Sequence, residues 1–82
     1  MPNNNPLTVA QLREIQKYLP YGSRRAIASK FGCSDSLVGK VLRGERVNNP
    51  ILMAAAEVAE KEKMRRDRVK ADLQKRISNL SA

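Results

Sequence analysis

Ser23-Arg-Arg-Ala-Ile-Ala-Ser-Lys-Phe-Gly-Cys-Ser-Asp-Ser-Leu-Val-Gly-Lys-Val-Leu-Arg43 decides how this chain is read. It holds two short runs with apolar residues at helical spacing. In the first, Ser23 is placed as an N-cap for a helix from Arg24 to Phe31 whose inward face is Ile27, Ala28 and Phe31. In the second, Ser34 caps a helix from Asp35 to Arg43, with Leu37, Val38, Val41 and Leu42 inward and Gly44 just past its end. Only Cys33 lies between Gly32 and the second cap. That connection is too short for an antiparallel hairpin and fits the three- to four-residue turn that sets successive helices at a steep angle. Helices crossing so close to their turn need a small residue midway along the first and a residue tolerant of positive φ between them; Ala28 and Gly32 meet those needs.

Upstream, Leu7-Thr8-Val9-Ala10-Gln11-Leu12 carries two helix-start signals at once. Thr8 and Gln11 are spaced as a capping box, and Leu7 and Leu12 as a hydrophobic staple. The helix that starts there carries Leu12, Ile15 and Leu19 on one face and stops at Pro20 and Gly22. Tyr18 and Tyr21, flanking Pro20, are expected to cover the edge of the core. Residues 1–6 are polar and proline-bounded, a composition expected to form a disordered arm. Downstream, Asn49 before Pro50 is expected to cap a long fourth helix running to about Leu80. Its first half, with Ile51, Leu52, Ala55 and Val58, is apolar enough to join the core. The second half is dominated by charge, with eight basic and three acidic side chains between Lys61 and Arg76. Opposite charges three or four residues apart, such as Glu62 with Arg65 and Arg66, support that helix locally. Val69, Leu73, Ile77 and Leu80 form a narrow apolar stripe suited to a partner helix, and a homodimer through these residues is expected. The expected architecture is all-α: a headpiece of three to four helices over residues 7–59 and a helical extension over residues 60–82.

Composition narrows the function classes. With 82 residues the chain is near the lower limit for one apolar core. Sixteen Lys and Arg against eight Asp and Glu give a formal charge of +8, which calls for an acidic partner. The absence of His, of a Gly-rich phosphate loop and of a recognisable carboxylate pair argues against an enzyme, and nothing marks a cofactor. The single Cys33 is read as a small core residue, with neither a disulfide nor a zinc site in prospect. Ile51 to Ala56, the longest apolar run, is far short of a membrane span, and residues 1–6 lack the pattern of a signal peptide, so a cytoplasmic, nucleoid-associated setting is expected.

The run from Ala26 through Gly44 resembles the turn and recognition helix of the LacI-family DNA-binding headpiece, and Ala54 to Ala59 is similar to the alanine-rich helix that follows it there. The resemblance spans roughly Arg24 to Ala59 and implies a helix-turn-helix. By that likeness Ser34, Asp35, Ser36, Gly39 and Lys40 fall where the family meets bases. The chain departs from the family in that the short hinge helix gives way to the charged extension, and no sugar-binding core domain is expected to follow. Neither an inducer nor the family's mode of dimerisation is therefore carried over.

Helical geometry leads the same way. With Leu37, Val38, Val41 and Leu42 inward, Asp35, Ser36, Gly39, Lys40 and Arg43 form the opposite stripe, expected to face solvent and to enter a major groove. On that expectation Lys40 donates to guanine and Asp35 accepts from cytosine. Mid-helix Gly39 lets the helix approach closely, and Arg24, Arg25, Arg43 and Arg46 reach phosphates. The expected function is sequence-specific binding of double-stranded DNA as a homodimer on an inverted repeat. Such a protein would act as a transcriptional repressor or mobile-element regulator by occupying its site. Two rivals stay open: a non-specific RNA- or nucleoid-coating protein, and an interaction protein that docks its basic C-terminal helix on an acidic partner or membrane.

Overall fold

Residues 5–81 are described by a computed structural model, and every regular element among them is a helix. The order is α1 (Val9–Tyr18), α2 (Ser23–Phe31), α3 (Asp35–Leu42) and α4 (Asn49–Ser81), so the chain is all-α with one long final helix. α1 begins at the capping box: Thr8 Oγ1 accepts from the Gln11 amide at 3.1 Å and Gln11 Oε1 accepts from the Thr8 amide at 2.9 Å. Residues 1–4 of the expected arm lie outside the described residues. Asn5 is half-buried, and its Oδ1 accepts from the Leu7 amide at 3.0 Å.

The turn between α2 and α3 rests on Gly32, which ends α2 at φ +65, in the left-handed region where a Cβ is strained. There the Cys33 amide reaches back to Ala28 O at 2.9 Å, which directs the chain into Ser34. Ser34 Oγ then accepts from the Leu37 amide at 3.1 Å and starts α3.

Two caps differ from expectation by one residue. Gly22, at φ +86, occupies the N-cap of α2, so Ser23 is already helical and no side chain caps that terminus. At α4 the capping oxygen comes from Asn48, whose Oδ1 accepts from the Ile51 amide at 3.1 Å; Asn49 is the first helical residue. A side chain that satisfies the third amide of a helix must sit three residues before it, and only Asn48 does.

Leu12, Ile27, Ala28, Val38, Val41, Leu42, Ile51, Leu52, Ala54 and Ala55 form one buried cluster, with Leu7, Ile15, Leu19, Cys33 and Leu37 partly buried against it. α4 packs on α1, α2 and α3, and Gln16 Nε2 donates to Leu42 O at 2.8 Å, fastening α1 to the end of α3. Phe31 is 39% exposed and does not join the inward face expected of it. Tyr18 is half-buried, whereas Tyr21 stands fully exposed and covers no core edge. The last buried residue of α4 among those described is Ala59. Beyond it the helix projects from the headpiece, giving extents of 58 × 28 × 15 Å.

Candidate nucleic-acid interface

α3 is held by its apolar side, because Val38 and Val41 are fully buried and Leu42 nearly so. The opposite side is therefore fixed. Asp35, Ser36 and Arg43 are exposed on it and Lys40 is half-buried. Ser34 sits just before the helix, also exposed; its oxygen is engaged with the Leu37 amide, which leaves its hydroxyl hydrogen to donate. Five of these positions thus border one polar face, as their spacing predicts.

Gly39 lies on that face but is buried, contrary to the expectation that it stands open to solvent. What buries it are two arginines from either side. A methyl group at Gly39 would lie 3.0 Å from Arg24 Nη1 and 3.2 Å from Arg43 Nη1. Arg24 comes from the first turn of α2 and Arg43 from the end of α3, so two guanidinium groups converge across the bare glycine.

Each arginine has one carboxylate partner. Arg24 Nε is 3.7 Å from Asp35 Oδ1, with both side chains about half exposed at 53% and 51%. At that distance and exposure the pair contributes little. Arg43 Nε donates to Glu45 Oε2, and this bond, with the Arg43 charge, lowers the Glu45 pKa.

The two arginines border a cleft of about 460 Å³ between the end of α1, the start of α2 and α3. Arg25, Asp35, Tyr21 and Gln16 line it too. The uncapped N-terminus of α2, which has no acidic residue in its first turn, adds its partial positive charge there. Arg46 is exposed in the loop before α4 and is absent from the cleft wall. Spacing does not single out Gln16, and the sequence places Tyr21 at the edge of the core and not at this cleft. The signal for Tyr21 is its place immediately before Gly22, whose left-handed turn leaves the ring outside the core.

The extension carries a second feature. Val69, Leu73, Ile77 and Leu80 are 45%, 53%, 60% and 84% exposed. At about 100° per residue they fall on one arc of about 80°, the arc that Ile51, Ala55 and Ala59 bury in the headpiece. A shallow groove of about 410 Å³ runs along Val69, Leu73 and Ile77, flanked by Arg65, Arg66 and Lys70. Between the buried and exposed stretches sits Glu62, only 11% exposed. Arg65 Nη2 and Arg66 Nε donate to its Oε1 at 2.7 and 2.9 Å, and these bonds hold its pKa at about 2. Arg66 also lies over the Tyr18 ring, 5.6 Å from its centroid, and ties the base of the extension to α1.

Among the described residues no group of His, Cys, Asp and Glu could hold a metal, and no helix is long and apolar enough to cross a membrane. No protein-family model, no curated protein and no solved structure matches this chain.

Proposed function

We propose that the chain binds duplex DNA in a sequence-specific manner, inserting α3 into the major groove in the way its resemblance to the LacI-type headpiece implies. The observation that carries this reading is the polar face of α3 set beside converging arginines, on a helix whose other side is locked into the core. Ser34, Asp35, Ser36 and Lys40 are the base-reading candidates, because they are short or singly charged groups on the projecting face. Arg24, Arg25, Arg43 and Arg46 surround that face and take the phosphates. The formal charge of +8 supplies the long-range attraction. The protein acts as a repressor or mobile-element regulator by occupying its site.

One α3 spans few base pairs, so selectivity comes from pairing two headpieces through Val69, Leu73, Ile77 and Leu80. This stripe continues the face by which α4 already packs, and nothing among the described residues covers it. The target is then an inverted repeat with half-sites about 34 to 36 Å apart, or a multiple of that spacing. Selection of bound sites from random duplexes tests the whole reading. Enrichment of an inverted repeat that resists competition by random duplex supports it. Equal loss to random duplex or to RNA indicates a coating protein, and no retention of duplex at all refutes it.

A further inference from the structure

We infer that Arg24 and Arg43 form one clamp for a single phosphodiester of the DNA backbone, with Gly39 providing the space in which the two guanidinium groups meet. The inference rests on the DNA-binding reading and deepens it. It also gives Gly39 a different task from the base approach expected of it.

The argument begins with charge. Two guanidinium groups reach the same spot above Gly39, at 3.0 and 3.2 Å from where a methyl group would stand. Like charges drawn together in this way repel unless an anion lies between them. The carboxylates at hand do not fill that role. Asp35, which lines the cleft, is 3.7 Å from Arg24 Nε and beyond hydrogen-bond reach, while Glu45 engages Arg43 and is not among the residues lining the cleft, so neither carboxylate bridges the two guanidinium groups. A phosphate is the anion that matches: its two free oxygens accept from two planar forks at once. The cleft beside the pair is open to solvent and large enough for that group, and the uncapped start of α2 points positive charge into it.

Gly39 is explained by the same geometry. Helix stability alone favours alanine in the middle of α3. A methyl group there would sit closer to both guanidinium nitrogens than contact comfortably allows, so both guanidinium groups would have to give way by a few tenths of an ångström. Glycine therefore keeps the clamp closed.

The test combines two measurements on the full chain. Because Gly39→Ala favours the helix, it stays folded, as circular dichroism will verify. The first measurement follows the Arg Nε–Hε signals by NMR during titration with inorganic phosphate. Arg24 and Arg43 should shift together along one binding curve, with Arg46 unmoved, and Gly39→Ala should weaken the joint response. Independent curves, or no shift at either arginine, would overturn the clamp whether or not DNA is bound. The second measurement is the slope of log K against log salt on duplex DNA. Separate phosphates predict a loss of about 1.8 for Arg24→Gln with Arg43→Gln, whereas one shared phosphate predicts about 0.9. A loss near the larger figure overturns the clamp while leaving DNA binding standing. A joint phosphate response without any retention of duplex would instead preserve the clamp as an anion site and sink the DNA-binding reading.

Discussion

Leu73→Asp tests the proposed pairing of two copies. Val69, Leu73, Ile77 and Leu80 retain 45 to 84% of their surface in the monomer. Fully burying side chains of this size contributes about 1.5–3 kcal/mol each, so covering what remains open contributes about 1–2 kcal/mol each. Across the eight residues of a two-fold seam the gain is about 8–16 kcal/mol. Association costs about 4–15 kcal/mol in lost motion, so the free dimer sits near balance. The surplus of five positive charges between Lys61 and Arg76 tips it toward monomer at low salt. On the proposed reading DNA reverses that bias, because its phosphates offset the same charge. Leu73→Asp removes about 1–1.5 kcal/mol from each copy, a loss of roughly 30- to 150-fold in pairing before the cost of burying the carboxylates is added. Gel shifts on an inverted repeat and on an isolated half-site separate pairing from recognition. We expect the variant to lose cooperativity and keep half-site affinity, with sedimentation showing mostly monomer for both proteins at micromolar concentration and low salt. A variant that still fills both halves cooperatively would refute the seam.

Lys40→Ala should cost about 1–3 kcal/mol on the preferred site and relax the choice at one base pair; uniform weakening on every sequence would move Lys40 to the phosphate set. Arg25→Ala or Arg46→Ala should each flatten the salt slope by about 0.9 with sequence preference intact, measured by titrations on preferred and scrambled duplexes. Gly32→Ala should destabilise the headpiece by about 1–2 kcal/mol in urea melts, because φ +65 is strained for any residue with a Cβ; a stabilised variant would contradict the turn. Glu62 has a pKa lowered from 4.5 to about 2, so its contribution is complete above the ordinary value and is lost as pH falls toward 2. Far-ultraviolet circular dichroism should therefore show helix content dropping over that interval, and Glu62→Gln should lower it at neutral pH and shrink the acid-induced drop.

What was legible in the sequence was local. The Thr8–Gln11 box and the Ser34 cap each join groups three residues apart, so spacing alone identifies them. The inward set Val38, Val41 and Leu42 follows from helical period, as does the joint Arg65–Arg66 grip on Glu62. What was not legible came from elsewhere in the chain. The face of Gly39 is polar by period, yet its cover arrives from Arg24 on another helix, and no periodicity on α3 contains that information. Phe31 has the spacing of a core residue but falls in the last turn of α2, where no neighbouring helix covers it fully. Tyr21 depends on the direction the chain takes at Gly22, which composition leaves open.

α4 is a single rod of 33 residues that begins inside the core and ends in solvent. Its outer half therefore has no rotational freedom of its own: whatever it grips is held in a set phase relative to α3. One residue inserted after Lys61 would turn the outer stripe by about 100° against the headpiece, whereas seven would return it to within about 20° and carry it about 10 Å outward. Chain length in this segment thus works as a gauge. In the proposed dimer it would change the distance between paired headpieces in whole-heptad steps and disengage them at the lengths between.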